Sequence, residues 1–178
     1  ARAAGIRGFI AKPLFKSTLY YGLKKYTDGG EQVAAETSKK EVSLNGMNIL
    51  LAEDNDLNWE IAETLLTSEG AKVTRAENGQ ICVDIFDSSA VGEYDAILMD
   101  IRMPVMTGYE AAARIRALDK EDKDIPIIAM TADAFADDIK HCLTVGMNAH
   151  IAKPIDMDRV KTILAKFIDV NSKGTTKQ

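Results

Sequence analysis

A chain of 178 residues, of which 46% are hydrophobic, can bury one substantial core and leave a remainder outside it. The net charge of -5 argues against nucleic acid or anionic lipid as a partner, because binding phosphates usually requires a net basic face. No apolar run reaches the roughly 20 residues that span a bilayer, and the first residues lack the hydrophobic core of a signal peptide, so we expect a cytoplasmic segment without membrane contact. The first residue is Ala rather than Met, which indicates a fragment of a longer protein.

The beginning of the chain is similar to a later part of it. GIRGFIAKPLFKSTLYYGLKKY, residues 5–26, aligns without gaps with GMNAHIAKPIDMDRVKTILAKF, residues 146–167, and the helical apolar positions agree as well as the loop. We therefore interpret residues 1–26 as the C-terminal strand and helix of a preceding domain of the same kind. Residues 27–46 are polar, contain a Gly-Gly pair and show no sustained period, which predicts a linker.

From Met47 onward, short apolar runs alternate with amphipathic segments, the pattern of a parallel sheet covered by helices. The runs are MNILLAE, AKVTRAE, YDAILMD, IPIIAMT and AHIAKP, and the predicted helices are 56–68, 79–88, 108–118, 135–145 and 157–168. YDAILMD and IPIIAMT are almost continuously apolar, as central strands are, whereas AKVTRAE alternates like an edge strand. We predict a doubly wound α/β domain over residues 47–170, followed by a flexible tail at 171–178.

Local signals refine the helix ends and the core. Asp56 is the predicted cap of the first helix, and Gly70 and Gly146 stand where helices should end. Cys82 and Cys142 have neither metal-ligand nor CxxC spacing, so we predict buried thiols. Three apolar residues of the fourth predicted helix have the spacing of a core face: Phe135, Ile139 and Leu143.

Polar side chains follow four of the five predicted strands. Glu53 and Asp54 come after the first strand, Asp100 ends the third, Thr131 ends the fourth, and Lys153 follows the fifth. In an open parallel sheet, ligands bind beyond the carboxyl ends of the strands, near the point where the strand order reverses. We therefore expect these side chains to form one site.

Three carboxylates in one site repel one another unless a cation compensates them. Mg2+ is a hard cation that keeps several waters and uses one or two carboxylates, so Asp54 and Asp100 would suffice, with Glu53 acting through a metal-bound water. A carboxylate can also attack phosphorus to form an aspartyl phosphate when the transferring charge is neutralised, which Lys153 and the metal would do. The Thr131 hydroxyl can hydrogen-bond a phosphate oxygen and so report the phosphorylated state.

The stretch from Met47 to Asp169 resembles a response-regulator receiver domain. LLAEDN, ILMDIRMPVMTG, IIAMTADAF and HIAKPID are similar to the four signatures of that family, and their combination is specific. The resemblance implies a flavodoxin-like five-stranded sheet in the order 2-1-3-4-5, here with an N-terminal strand-helix appendage. EDNDLN and MTADAF are similar to receivers of hybrid sensor histidine kinases, which often carry two receivers in tandem, as the repeated IAKP does here.

The resemblance also implies a role for each site residue. Asp100 would be the phosphoacceptor, Lys153 the phosphate-contacting lysine and Thr131 the switch hydroxyl. The metal shell would be the acidic pair and two groups of the third strand and its loop: Glu53, Asp54, Asp100 and the backbone carbonyl of Arg102. The partner would be a histidine kinase or a histidine phosphotransfer domain, and the domain would catalyse only its own phosphoryl transfer and dephosphorylation.

Two positions depart from the commoner pattern of the family. His150 stands where many relatives have Tyr or Phe that moves with the switch hydroxyl, so here the moving group would be polar and titratable. Trp59 stands where related hybrid receivers often have Arg, and partner contact and a packed aromatic are equally compatible with the sequence.

The preferred hypothesis is a phosphorelay module that switches the face around the fourth helix, fifth strand and fifth helix. Since no output domain follows Lys173, we expect a terminal receiver that relays its phosphate or regulates its own kinase. The cytoplasmic part of a membrane-bound kinase is an alternative setting for it. One alternative is an aspartyl-phosphate phosphatase, although the second Asp that such enzymes need is replaced by Arg102. The other is a receiver-shaped scaffold that acts without phosphorylation. The oligomeric state stays open.

Overall fold

A computed structural model gives the structure of residues 43–132 and 136–171, without the side chains of residues 136–139 and 168–171. The predicted domain fragment at 1–26, most of the predicted linker, nearly all of the predicted tail, Phe135 and the side chain of Ile139 lie outside the described residues. Ten elements alternate along the described chain: β1 Asn48–Ala52, α1 Asp56–Ser68, β2 Lys72–Ala76, α2 Gly79–Ser88, β3 Ala96–Asp100, α3 Gly108–Ala117, β4 Ile127–Thr131, α4 Ala136–Thr144, β5 Ala149–Ala152 and α5 Met157–Asn171.

The strands form one parallel sheet in the order β2-β1-β3-β4-β5, which confirms the predicted fold class and strand order. Every residue of β3 is buried, as expected for a central strand that helices cover on both faces. The edge strand β2 instead alternates between exposed and partly buried positions until Ala76. The pattern of apolar residues along each strand therefore predicted the position of that strand in the sheet.

Two apolar cores lie on opposite faces of the sheet. On one face, Phe86 of α2 and Ile115 of α3 are fully buried against β1, β3 and β4. On the other face, Leu66 of α1 and Leu164 of α5 are fully buried against the same central strands. Burying a large apolar side chain contributes about 1.5–3 kcal/mol, so these two layers hold the strand ends in fixed relative positions.

Glycines end two of the helices as predicted. Gly70 after α1 and Gly146 after α4 have φ values of +86° and +92°, a left-handed conformation that glycine adopts without a steric penalty. A Cβ atom on Gly146 would lie 2.8 Å from Cγ of Arg116, so the absence of a side chain there also makes room for a neighbour.

The predicted cap of α1 was wrong by one residue. The cap is Asn55, whose side-chain oxygen accepts a hydrogen bond from the backbone N–H of Asn58 at 3.1 Å. Asp56 begins the helix and pairs with Arg75 of β2 at 2.5 Å. The Arg75 guanidinium also lies over the ring of Trp59, 5.3 Å from its centroid, and Trp59 packs partly buried against the core between α1, α5 and the sheet. Trp59 is therefore a packed aromatic in this fold.

The predicted core face of α4 is wrong at Leu143, which is 58% exposed. Cys142, one position earlier, is buried instead, as is Cys82, so the prediction of two buried thiols is confirmed. Burial raises the pKa of the Cys82 thiol to about 12, because the thiolate would lose its hydration.

The end of the predicted linker, residues 44–46, packs on the domain. Leu44 is fully buried in the core beside α1 and α5, and the backbone N–H of Gly46 donates to the carbonyl of Gly70 at 2.9 Å. These residues were assigned to the linker, but the burial of Leu44 makes them part of the folded unit.

Arg116 of α3 joins three segments at the amino ends of the strands. Its guanidinium donates hydrogen bonds to the backbone carbonyls of Gly146 at 2.9 Å, Lys123, and Ile125 at 2.8 Å. It also donates to Oδ1 of Asn148 at 2.8 Å. Burial lowers the pKa of Arg116, and the charge of a nearby aspartate opposes that shift.

Candidate functional site

The five residues predicted from the strand ends lie at the carboxyl edge of the sheet. Glu53 and Asp54 directly follow β1, Asp100 is the last residue of β3, and Thr131 is the last residue of β4. Lys153 directly follows β5, and its backbone N–H donates to the carbonyl of Thr131 at 2.8 Å. The parallel register of the strands thus brings together residues that are 100 positions apart in the chain.

Lys153 connects two carboxylates of the site. Its Nζ atom donates to Oδ2 of Asp100 at 2.7 Å and to Oε2 of Glu53 at 2.6 Å. Glu53 is 1% exposed and Asp100 7% exposed, so both carboxylates have lost most of their hydration. Charge-assisted hydrogen bonds from a lysine are the kind of contact that allows buried carboxylates to stay ionised.

Burial and pairing act in opposite directions on the pKa values of the site. Burial raises the pKa of Asp100, the hydrogen bond and charge of Lys153 oppose that shift, and the charge of Glu53 adds to it. Burial alone would lower the pKa of Lys153, but its hydrogen bonds to Asp100 and Glu53 outweigh this effect and raise the pKa. The lysine is therefore held in its charged form beside a carboxylate whose pKa burial raises.

The acidic residues meet the requirements of a hard divalent cation. Glu53, Asp54 and Asp100 each offer one carboxylate oxygen, and these three atoms lie within 4.8 Å of one another. Asp54 is exposed, which leaves a side of the cluster open to water. Oxygen ligands with room for retained waters suit Mg2+ in particular. The chemistry of the donors thus fits the magnesium ion that the sequence predicted.

The loop after Asp100 packs tightly against the end of β3. The backbone N–H of Arg102 donates to Oδ1 of Asp100 at 3.3 Å, and that of Gly108 donates to the carbonyl of Ile101 at 2.9 Å. A Cβ atom on Gly108 would lie 2.2 Å from the carbonyl oxygen of Asp100. Glycine is required here for close approach, and its small size sets the position of the Asp100 backbone.

His150, the second predicted switch residue, lies on β5 with Ala129 as its partner on β4. It is partly buried, and burial followed by the charge of Arg159 lowers its pKa. Thr131 lies one residue beyond Met130, the residue that pairs with Asp100 across β3 and β4. Arg102 itself is exposed at the mouth of the site.

Two asparagines at the start of α1 also belong to the site, and the sequence analysis missed them. Nδ2 of Asn58 donates to Oε1 of Glu53 at 3.0 Å, and the backbone N–H of Asn55 approaches the same oxygen at 3.4 Å. The available signal was their position within one helical turn of a glutamate that had to be buried, since such a carboxylate needs donors.

Apolar side chains lie beside the site, at the start of α1 and directly after Lys153. Leu57 and Ile61 of α1 are 65% and 48% exposed. Ile61 lines a cavity of about 60 Å3 together with Glu53, Lys153, Pro154 and Ile155. We call Leu57, Ile61, Pro154 and Ile155 the apolar rim.

A larger hollow of about 430 Å3 lies at the opposite edge of the sheet, where the strands begin. Asp95, Asp122 and Asp124 line it together with Tyr94 and Phe167. Because ligands of open parallel sheets bind at the carboxyl ends of the strands, volume is a poorer guide here than the convergence of functional groups. The site around Asp100 is therefore the functional candidate.

A doubly wound sheet of this order, with an acidic cluster and a lysine at its carboxyl edge, defines a flavodoxin-like domain of the receiver type. Comparison with known protein families agrees with this class. The chain belongs to the response regulator receiver domain family, whose sequence pattern matches residues 49–165. It is thus a receiver domain of two-component signalling systems.

Curated proteins similar to this chain include histidine kinases. The chain is 35% identical over 152 residues to hybrid signal transduction histidine kinase I of Dictyostelium discoideum, covering 79% of this chain and 9% of that protein. It is 36% identical over 159 residues to histidine kinase 1 of Arabidopsis thaliana, covering 71% of this chain and 13% of that protein. The chain therefore spans a small part of the length of these relatives.

Solved structures give the same result. The receiver domain of a sensor histidine kinase from Pseudomonas aeruginosa PAO1, with a magnesium ion coordinated in its active-site cleft, is 41% identical. Its TM-score is 0.63, with 70% of this chain and 98% of that chain covered. A chain from the Saccharomyces cerevisiae complex of the histidine phosphotransfer protein Ypd1 with the receiver domain of Ssk1 is 27% identical. Its TM-score is 0.64, with 71% of this chain and 92% of that chain covered.

None of the helices in the described part of the chain is both long enough and apolar enough to cross a membrane.

Proposed function

We propose that this receiver accepts a phosphoryl group on Asp100 from a phosphohistidine and uses Mg2+ to do so. The observation that carries the proposal is the contact of a buried carboxylate with Lys153 beside two further carboxylates. A carboxylate that only stabilised the fold would need a cation partner, but it would not need Glu53 and Asp54 within 4.8 Å. Three carboxylates beside one lysine leave excess negative charge, which supports a site for a metal ion that would bind a phosphoryl group.

In the proposed reaction, one carboxylate oxygen of Asp100 forms a bond to phosphorus while the P–N bond of the donor histidine breaks. The imidazole nitrogen leaves with the bonding electron pair, and a proton from solvent restores neutral histidine. Arg102 N–H holds Oδ1 of Asp100, and Lys153 holds Oδ2, so the carboxylate is oriented before the donor arrives. Fixing the nucleophile in this way reduces the entropy lost on reaching the transition state.

Lys153 can contact the negatively charged phosphoryl group both during and after its transfer to Asp100. Its Nζ atom contacts Asp100 and Glu53 before phosphorylation, and after it a phosphoryl oxygen would replace the Asp100 oxygen as acceptor. Bound Mg2+, held by Asp54, Asp100 and the carbonyl of Arg102, with Glu53 acting through water, would neutralise charge on the phosphoryl oxygens.

The proposed response to phosphorylation lies in the face formed by α4, β5 and α5. Thr131 ends the strand that leads to α4, so a hydrogen bond from its hydroxyl to the phosphoryl group would shift the chain entering that helix. His150 lies on β5 beside this strand and would move with it. A new dianionic group that binds one of two arrangements better shifts their populations by its differential affinity.

The proposed donor is a histidine kinase or a histidine phosphotransfer domain, and the parent protein is a hybrid histidine kinase. Support comes from the relatives, which are histidine kinases, and from the yeast complex of a phosphotransfer protein with a receiver. Because Asp100 is 7% exposed, a protein donor must cover the mouth of the site to bring its histidine within bonding distance. That donor would contact the exposed Leu57 and Ile61 of the apolar rim.

Phosphoramidate tests the reaction without a protein partner, since it carries the same kind of P–N bond. Wild type should gain a label that hydroxylamine removes, as expected of an acyl phosphate, and Asp100→Asn should not. Asp87→Asn, which changes an exposed carboxylate far along α2, serves as the matched control and should behave as wild type. Turnover of phosphate esters without a stable adduct would favour the phosphatase alternative, and no adduct in folded wild type would favour the scaffold.

Substitutions in the apolar rim can distinguish the chemical step from the docking of the donor protein. A Leu57→Ser and Ile61→Ser double variant should react with phosphoramidate as wild type does, because neither apolar side chain takes part in the hydrogen bonds that orient Asp100. Its transfer from a phosphorylated histidine phosphotransfer domain should fall by about tenfold or more, which corresponds to the loss of two exposed apolar contacts. Equal transfer rates for the variant and wild type would show that the donor docks elsewhere.

A further inference from the structure

The two oxygens of Glu53 are held by different elements. Oε2 accepts from Lys153 Nζ at 2.6 Å, on the side of Asp100, whereas Oε1 accepts from Asn58 Nδ2 at 3.0 Å. The backbone N–H of Asn55 approaches Oε1 at the longer distance of 3.4 Å, so Asn58 supplies the better-placed donor. Rotating the carboxylate would break both of the short contacts.

Asn58 is itself held in place by the cap of α1. Its backbone N–H donates to Oδ1 of Asn55, and α1 is anchored on the core through the fully buried Leu66. An exposed side chain would otherwise sample several rotamers, but here both its backbone and its amide have fixed partners. The start of α1 thus connects rigidly to a carboxylate that is 1% exposed.

We propose that Asn58 is a positioning residue for the magnesium site, acting through Glu53. By occupying Oε1, the Asn58 amide directs Oε2 toward Lys153 and the Asp100 cluster, where Glu53 acts on the metal. This inference rests on the proposed function, because it concerns the metal that phosphoryl transfer would use.

The chemical type of residue 58 suits this role. A lysine or arginine at this position would hold Glu53 equally well, but its positive charge would repel a divalent cation only one carboxylate away. An amide donates a hydrogen bond and adds no net charge, so it orients Glu53 without opposing the metal. Groups that orient metal-binding side chains typically change metal affinity by about 10–100-fold when they are removed.

Calorimetric titration of the whole chain with MgCl2 tests the proposal without measuring phosphorylation. We expect Asn58→Ala to weaken Mg2+ binding by about tenfold. Asn58→Gln keeps an amide donor and should lie closer to wild type than Asn58→Ala does. Thr64→Ala, a neutral substitution at an exposed position two turns further along α1, is the matched control and should bind as wild type does.

Thermal unfolding in EDTA separates positioning from a general loss of structure. The midpoints of Asn58→Ala and Thr64→Ala should agree within about 3 °C, because alanine is favourable in a helix and the contact to Glu53 acts on the site. Equal Mg2+ affinity in Asn58→Ala and wild type would overturn the inference and leave the proposed function standing. A weaker affinity matched by a large fall in the EDTA midpoint would also overturn it, in favour of a structural role. Absence of Mg2+ binding in folded wild type would instead overturn the proposed function, and the inference with it.

Discussion

Replacing Arg116 by methionine should destabilise the receiver far more than the same change at Arg114. Both residues lie on α3, two positions apart. Arg116 is partly buried and donates to three backbone carbonyls and to Asn148, whereas the exposed Arg114 donates a hydrogen bond to Gln80 at 2.8 Å. Methionine keeps most of the unbranched side chain, so the comparison isolates the guanidinium.

The magnitude follows from the contacts that would be lost. A hydrogen bond from a charged group contributes about 1.5–3 kcal/mol, but the freed carbonyls near the surface regain water and the contacts are not additive. We therefore expect Arg116→Met to lower the free energy of unfolding by about 2–4 kcal/mol, and Arg114→Met by less than about 0.5 kcal/mol.

Urea unfolding followed by circular dichroism provides the measurement. With a slope of about 2 kcal/mol per molar urea, the midpoint of Arg116→Met should fall by about 1–2 M while that of Arg114→Met stays near wild type. The slopes should agree among the three proteins, which would show that the compactness of the unfolded state is unchanged. A loss in Arg116→Met no larger than that in Arg114→Met would refute the view that this guanidinium holds the three segments together.

Three further outcomes are expected. The pKa of His150 in the folded state lies below its unfolded value of 6.5, so folding disfavours protonation of this side chain. The free energy of unfolding of wild type should therefore fall below about pH 6.5, and that of His150→Gln should fall less. Urea unfolding at about pH 7.5 and about pH 5.5 compares the two proteins, and equal losses would contradict the assignment to His150. Gly108→Ala should lower the free energy of unfolding by about 1–3 kcal/mol and slow phosphorylation of Asp100, because the added Cβ would lie 2.2 Å from the Asp100 carbonyl oxygen. A gain in stability, as the higher helix propensity of alanine alone would give, would contradict this prediction. Cys82, with a thiol pKa of about 12, should resist iodoacetamide until the protein is unfolded by urea, as mass spectrometry can measure. Rapid labelling of Cys82 in the native protein would contradict its burial.

The parts of the fold that depend on sequence period could be predicted. β3 and β4 are continuous apolar runs because helices cover both faces of the sheet, and β2 alternates because it lies at the edge. Since all strands are parallel, residues at their carboxyl ends had to meet at one edge. The sequence therefore predicted that Asp100, Glu53 and Lys153 lie together, as they do in the structure.

The details that were wrong or missed depend on contacts between distant segments. Asn55 and Asp56 are both good capping residues, and Arg75 of the neighbouring strand pairs with the second of them. Leu143 has the spacing of a core residue, but period alone does not say which positions on a helix face the neighbouring layer covers.

The contribution of Asn58 was hidden for a related reason. Its amide reaches Glu53 across the short loop between Ala52 at the end of β1 and Asp56 at the start of α1. Leu66 of the same helix packs in the core with residues of the sheet. A buried glutamate can be predicted from its position after a strand, but the residue that donates a hydrogen bond to it cannot be predicted as easily.

The central claim is that Asp100 becomes phosphorylated with the help of Mg2+, and intact mass after incubation with acetyl phosphate tests it most directly. We expect wild type to gain one phosphoryl group when MgCl2 is present, and neither wild type in EDTA nor Asp100→Asn with MgCl2 to gain any. A gain that persists in Asp100→Asn, or the absence of any gain in folded wild type with MgCl2, would contradict the account.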